Sequence, residues 1–197
     1  MPHILGQRIR LREYRKEDIE EVRKWVNDGT ITSGLHDLFQ APQSMNMTES
    51  FIEMRMKPSQ KEYGFVIAEL DSEAYIGQVD LQIDWKNRTG TFGIVIGNKA
   101  YHGAGYGEEA LRLLMVFAFD QLGLHRLQLD VISNNERAYR SYKRCGFTEE
   151  GRLRERIYRD GMYLDFIAMG ILRKEFYQDE RNQVFRQLAA WTSPQVT

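Results

Sequence analysis

The sequence predicts a mixed α/β fold in which a three-strand meander precedes two helix crossovers. Two observations carry this. The periodic segments run strand, two helices, three strands, helix, strand, helix, two strands, which is not the strict alternation of a doubly wound domain. A glycine-rich segment also feeds a helix that is apolar nearly all round, so the sheet has at least one covered face. The length, 197 residues with 42% hydrophobic and 28% charged, suits one large domain. The expected division is a single domain over residues 1–176 and a C-terminal extension, residues 177–197, helical and then disordered after Ser193-Pro194.

Each element has its own warrant. Residues 8–13 alternate polar with apolar and predict the first strand. Residues 18–26 put Ile19, Val22 and Val26 on one helical face, and Asn27-Asp28-Gly29 stops the helix. Residues 30–47 have no clear period and carry Gly34 and Pro42. They predict a long loop, with at most a short helical turn, of the kind that often holds function. Thr48 suits the start of a second helix ending near Lys57-Pro58. Residues 63–70, 75–85 and 89–97 predict the meander, and residues 108–122 the buried helix. Residues 126–132 form a short strand. Ser133-Asn134-Asn135-Glu136 has the capping-box pattern and opens a helix that Gly146 ends. Residues 148–157 and 162–171 predict a last hairpin around Asp160-Gly161, and residues 173–191 a terminal helix.

Composition excludes several function classes. Lys plus Arg (27) nearly balances Asp plus Glu (28), so no global field gathers nucleic acid or an anionic membrane. A lone cysteine, Cys145, rules out an internal disulfide and a multi-cysteine zinc site, and no metal is expected. No signal-peptide core or membrane-length apolar run is visible, so the expected location is the cytoplasm.

Two constellations carry chemistry. In Tyr101-His102-Gly103-Ala104-Gly105-Tyr106-Gly107 the glycines let backbone turn tightly and approach a ligand, and the following helix offers unpaired N–H groups and a positive dipole end. A phosphate cradle and a bare glycine-rich turn are equally good readings of that segment alone. A P-loop is excluded because Glu108-Glu109 follow where Lys and Ser/Thr belong, and the dinucleotide spacing is absent. The second constellation spans Asn135 to Phe147. Ala138, Tyr142 and Cys145 share one helical face, with Tyr139 beside them; Ala138 and Cys145 suit a core. Tyr142 is harder to place there, since a buried hydroxyl needs a partner.

Together these segments resemble the GNAT N-acetyltransferase superfamily, over about residues 8–176. The loop is similar to that superfamily's pyrophosphate motif, Q/R-x-x-G-x-G/A, with Gly105 and Gly107 in the small positions. N-x-x-A-x-x-x-Y-x-x-x-G-F, from Asn135 to Phe147, resembles the stretch that holds the pantetheine arm and supplies a catalytic tyrosine. The ending Glu150-Gly151-Arg152-Leu153 with Gly161, Tyr163 and Asp165 resembles the branch of ribosomal-protein N-terminal and polyamine acetyltransferases.

The resemblance implies a central, mostly antiparallel twisted sheet of about seven strands flanked by about four helices. It implies acetyl-CoA as acyl donor, and as acceptor a primary amine: a protein N-terminus, a polyamine or another small amine. Dimers are common in such families. By position, Val95, Ile96 and Gly97 would pair with pantetheine amides, and residues 102–108 (His102, Gly103, Ala104, Gly105, Tyr106, Gly107, Glu108) would wrap the pyrophosphate. Asn135, with Ala138 on the same helix, would hold the pantetheine arm, and Tyr142 would protonate the departing thiolate. Two departures stand out. His102 takes the place of Gln or Arg, and Thr91 sits where many members carry a glutamate base.

The base therefore has several candidates: Asp80 and Asp84, on a strand face with Gln78 and Gln82, Glu150, or water alone. A solvated strand face is the better reading of the two aspartates. His36 could line an acceptor groove, though a lone loop histidine is more often solvated. Arg152, Arg154 and Arg156 suit an exposed edge. The expected activity is direct attack of a neutral amine on the thioester. The alternatives are a CoA-binding module without catalysis and an NAD-dependent oxidoreductase, the latter disfavoured by its missing spacing.

Overall fold

The strand run Phe65-Val66-Ile67-Ala68 is buried at every position, which happens only where both faces of a sheet are covered. The computed structural model, which describes residues 3–35 and 37–192, shows both covers. Phe65 and Ile67 belong to one core, Val66 and Ala68 to a second. The sheet has nine strands in the order β7-β8-β6-β5-β4-β3-β2-β1-β9. In chain order these are β1 His3–Leu5, β2 Ile9–Arg12, β3 Glu62–Glu69, β4 Tyr75–Asp84, β5 Thr89–Ile96, β6 Arg126–Ile132, β7 Thr148–Arg159, β8 Met162–Leu172 and β9 Ala190–Thr192. Every neighbouring pair runs antiparallel except β5 with β6. The fold is thus the mostly antiparallel mixed α/β sheet expected, wider at one edge by β1 and β9. Both are three-residue strands, too short to show a period.

The first core is built around α4 (Tyr106–Val116), on which every residue from Glu109 onward is buried. Fully buried leucines and phenylalanines there each contribute about 1.5–3 kcal/mol of transfer free energy. A wider turn at Phe117–Gln121 ends it, with the Leu122 N–H donating to the Phe117 carbonyl at 3.0 Å. The second core lies on the opposite face under α1 (Asp18–Trp25) and α3 (Met45–Met56), with the single turn α2 (Gly29–Thr32) between them. A bidentate ion pair fixes α1 to β2: Arg12 donates to Asp18 at 2.9 and 2.7 Å, both side chains about 4% exposed. The Asp18 carboxylate also accepts the Arg15 N–H at 2.7 Å.

Three boundaries differ from the sequence reading. The stretch read as a long loop is partly helical, through α2, a 3₁₀ turn at Asp37–Gln40 and the first turn of α3. Ser44 rather than Thr48 caps α3, its Oγ accepting the Met47 N–H at 3.2 Å; both are good cap residues, and Thr48 is spent as buried contact. In α5 (Glu136–Arg144) the cap is Asn135, not Ser133, and its Oδ1 accepts the Ala138 N–H at 3.2 Å. Ser133 instead ties to β8, where its Oγ accepts the Asp165 N–H at 3.2 Å. The helix does end at Gly146, with φ +95° and the Phe147 N–H returning to the Tyr142 carbonyl at 3.0 Å.

The chain after Leu172 forms α6 (Arg173–Gln178) and α7 (Glu180–Leu188), separated at Asp179, which caps α7 by accepting the Arg181 N–H at 3.0 Å. Buried Arg112 on α4 binds Asn182 of α7, the Arg144 carbonyl at the end of α5, and Glu108. β9 then pairs with β1. The disorder expected after Ser193-Pro194 falls outside the described residues.

Candidate functional site

β5 and β6 pair only through Thr89↔Arg126, Gly90↔Leu127 and Thr91↔Gln128. Beyond that point β5 continues to Ile96 and β6 to Ile132 without pairing to each other, so a wedge opens between them. A cleft of about 200 Å³ occupies the wedge. Its walls are Ile94, Val95 and Ile96 from β5 and Asp130 and Val131 from β6. Its floor is the glycine loop with the start of α4, and α5 closes one side through Asn135, Ala138, Ser141 and Tyr142.

The glycine loop is shaped for an anion. Gly103 at φ +76° and Gly105 at φ +86° take the left-handed conformation, and Gly105 is the residue from which α4 begins. The first N–H groups of an eleven-residue helix therefore open into the cleft. The two carboxylates of its first turn are already neutralised. Glu109 accepts the N–H groups of Gln7 at 2.8 Å and Arg8 at 2.9 Å and pairs with the Arg8 guanidinium. Glu108 pairs with Arg112 and Arg144, each at 3.0 Å, and these cations hold its carboxyl below the usual range against the opposing effect of burial. Arg144 and Arg137 line the cleft, and Arg137 has no partner among the described residues.

The residues expected from sequence divide as follows. Val95, Ile96, His102, Gly103, Gly105, Tyr106, Gly107, Glu108, Asn135, Ala138 and Tyr142 all line the cleft. Gly97 and Ala104 do not. Gly97 lies beneath the Trp25 ring, where a Cβ would stand 2.3 Å from Trp25 Cδ1, and the Ala104 carbonyl accepts from Arg8 at 2.9 Å. His102 is engaged by the protein itself, its Nε2 lying 2.8 Å from the Ile96 carbonyl oxygen. That contact uses the ring nitrogen expected for a phosphate and the carbonyl expected for a pantetheine amide. Val95 lines the cleft between Ile94 and Ile96.

Tyr142 differs from most other tyrosines with polar surroundings. The hydroxyls of Tyr14, Tyr75, Tyr101, Tyr139 and Tyr177 all bond to side chains; that of Tyr142 has no partner among the described residues. Its ring packs edge-on against Phe92 and Phe147, with centroids 5.9 and 6.2 Å away. Burial, then the adjacent Cys145, pushes its pKa well above the ordinary value, so the phenol keeps its proton. Cys145 is fully buried, and burial lifts its thiol to about 12, unsuited to a nucleophile.

None of the carboxylates named from sequence as bases lines the cleft. Asp80 is not a solvated residue of a strand face: it accepts from Tyr14 at 3.2 Å and pairs with Arg55 at 3.1 Å. Asp84 is, and accepts the Asn87 N–H at the β4–β5 turn. Glu150 is paired with Arg126. The free carboxylate in the cleft is Asp130, with no partner among the described residues. Strand alternation could have found it: Leu127, Leu129 and Val131 point into the α4 core, which turns Gln128 and Asp130 to the other face. Arg137 also escaped the reading, although it sits in the first turn of α5.

Over the far side of the cleft lies the segment after α2. Ile31, Gly34 and Leu35 line it, and Gly34 lies so close to Asn135 that a Cβ would stand 2.5 Å from its Nδ2. Arg159, at the end of β7 and 7% exposed, donates to the carbonyls of Ser33 and Leu35 and so fixes this segment from the hairpin. His36 falls outside the described residues. Arg152, Arg154 and Arg156 are exposed along β7, an edge strand.

The chain is similar to known acetyltransferases in sequence and in fold. A sequence profile described as an acetyltransferase (GNAT) domain matches residues 8–148. The chain is 28% identical over 172 residues to a prophage-derived uncharacterized N-acetyltransferase, YokL, of Bacillus subtilis, covering 87% of this chain and 93% of that one. It is 29% identical over 174 residues to the spermidine N(1)-acetyltransferase of Escherichia coli, covering 88% and 90%. A crystal structure of spermidine N-acetyltransferase from Vibrio cholerae in complex with CoA and spermine superposes with a TM-score of 0.77 at 27% identity, covering 86% of this chain and 98% of that one.

Proposed function

The chain belongs to the GNAT acetyltransferase family and is an N-acetyltransferase that uses acetyl-CoA, and on that premise we propose which residues of the cleft carry the transfer. The pyrophosphate is held by the N–H groups of the loop at Gly103, Gly105 and Gly107 and the start of α4, with Arg137 and Arg144 as counter-charges. The pantetheine arm lies along the open edge of β5 at Val95, flanked by Asn135 and Ala138. This places the thioester in the wedge beside Tyr142 and Asp130.

Asp130, directly or through a water, takes a proton from the incoming ammonium. The neutral amine attacks the thioester carbonyl, the tetrahedral intermediate collapses as Tyr142 gives its proton to the leaving thiolate, and the second proton shed by the amine nitrogen restores the phenol. A phenol of raised pKa suits this step because the thiolate forms in the same apolar cleft, where desolvation makes it a stronger base as well. Holding both reactants in one wedge supplies much of the rate by positioning. The acceptor is a small primary amine or a protein N-terminus, the polyamines of the relatives being the first compounds to try. The remainder of the reading is a cytoplasmic homodimer; no described helix is long and apolar enough to cross a membrane.

The unpartnered Tyr142 hydroxyl carries this reading, and it weighs against a CoA-binding module without catalysis. The experiment is CoA release from acetyl-CoA with and without an amine panel, repeated with Asp130→Asn. Amine-dependent release that falls roughly 10²-fold in the variant, with acetyl-CoA affinity unchanged, is expected. Release that ignores both amine and variant overturns the assignment of the base.

A further inference from the structure

A second cavity, of about 420 Å³, lies on the α1/α3 face of the sheet. Its walls are Val22 and Trp25 of α1, Phe39 of the 3₁₀ turn and Phe51 of α3; Gln78 of β4 forms its floor and Ser50 its rim. None of its described lining residues is Asp, Glu, Lys or Arg. Gln43, Asn46 and Thr48 add neutral polar groups to that lining. A cavity of about 150 Å³ lined by apolar side chains accepts benzene, so this one has the volume for a bicyclic or phenylalkyl body.

Three residues form a packed wall between this cavity and the cleft. Val95 lines the cleft and packs against the core that contains Val22, Trp25 and Val26. Ile31 and Leu35 do the same from the α2 segment. Gln78 is the cross-strand partner of Val95, so the cavity floor and the cleft wall are adjacent positions of one ladder. Gln78 is 4% exposed; its Oε1 accepts from the Tyr75 hydroxyl at 3.2 Å, which itself accepts from Trp25 Nε1 at 3.0 Å. The Gln78 Nε2 has no hydrogen-bond partner among the described residues, which leaves an N–H donor at the cavity floor.

We infer that this cavity seats the body of the acceptor, and that the acceptor is a primary amine on a short link to an uncharged aromatic or apolar group, preferred over a polyamine. The inference rests on the proposed transfer at Tyr142 and Asp130. Its physical basis is desolvation. A second ammonium entering a lining with no carboxylate among its described residues loses its hydration with nothing in return, whereas an aromatic ring gains about 25 cal/mol for each Å² it buries. The free Gln78 N–H adds a donor for one carbonyl or ether oxygen on that body.

The test compares 2-phenylethylamine, tryptamine and phenylalaninamide with spermidine and putrescine in acetyl-CoA turnover, and adds a peptide beginning with Phe to separate a free amine from a chain terminus. Wild type and Ser50→Trp are both measured, the bulky ring filling the cavity from its exposed rim. The inference expects kcat/KM for the aryl amines at least ~10-fold above spermidine, and a KM for them ~10-fold higher in Ser50→Trp at unchanged acetyl-CoA affinity. Preference for spermidine, or aryl turnover indifferent to Ser50→Trp, overturns it while leaving the transfer chemistry standing. If no amine is acetylated, calorimetry of 2-phenylethylamine on the CoA-loaded protein still decides. Binding that Ser50→Trp abolishes keeps the cavity and sinks the transfer reading; absence of binding sinks the cavity.

Discussion

The two hollows beside β5 are built from different materials. The cleft toward α4 is bounded at its anion end by backbone, through left-handed Gly103 and Gly105 and the first N–H groups of α4, while Glu108 there is neutralised by Arg112 and Arg144. The cavity toward α1 and α3 is bounded almost wholly by side chains, Trp25, Phe39 and Phe51 among them. A backbone site binds one invariant group and tolerates change in its neighbours; a side-chain site sets selectivity and can be altered one residue at a time. Substitutions in the two places should therefore act on different kinetic quantities.

The largest effect on acetyl-CoA affinity is expected at the backbone site. Gly105→Val forces a β-branched residue into φ +86°, a conformation that costs about 1–3 kcal/mol and can be relieved only by moving the N–H groups it positions. Acetyl-CoA affinity should fall roughly 100-fold, about 2.7 kcal/mol, with circular dichroism unchanged. Calorimetry showing wild-type affinity would remove the distinction between the two sites.

That site was also the more legible one. Glycines at positions that need positive φ are visible in a sequence because other residues fit badly there. The cavity left no such mark. Its residues come from α1, the 3₁₀ turn, α3 and β4, and no local period announces their convergence. Asp80 shows the same limit: strand alternation placed it on the polar face with Gln78, but only the tertiary arrangement brings Tyr14 and Arg55 over it. β1 and β9 escaped notice because three residues of strand carry no period, and the cap of α5 because Ser133 and Asn135 are equally good cap residues.

Asp80 supplies an intermediate effect that separates folding from catalysis. Burial, partly offset by Arg55, lifts its carboxyl from 3.8 to about 6. Between these values the native state holds a proton that the unfolded chain has released. Stability through this group therefore declines as pH rises from about 4 to about 6, by at most about 3 kcal/mol at about 1.4 kcal/mol per unit, and is flat above. Urea denaturation of Asp80→Asn at pH 4.5 and 7 should show that decline reduced. A decline of the same size in the variant assigns the slope to other groups.

The smallest effect is expected at Cys145. Its raised pKa and complete burial make it a packing residue, so Cys145→Ala should cost about 1 kcal/mol of stability and leave kcat within about two-fold. Initial-rate plots should intersect. Parallel lines with an inactive variant would instead mark a covalent intermediate on the thiol.

The central claim is that the unpartnered Tyr142 hydroxyl is the acid of the reaction, and Tyr142→Phe measured beside Tyr139→Phe tests it most directly. The Tyr139 hydroxyl is already engaged by Glu149 at 2.8 Å, so its loss should touch stability and spare turnover. Removing the Tyr142 hydroxyl breaks no bond within the protein and leaves the ring against Phe92 and Phe147. The account predicts kcat lower by roughly 10²–10⁴-fold, with acetyl-CoA affinity and melting temperature almost unchanged. Turnover of Tyr142→Phe within a few-fold of wild type would contradict it.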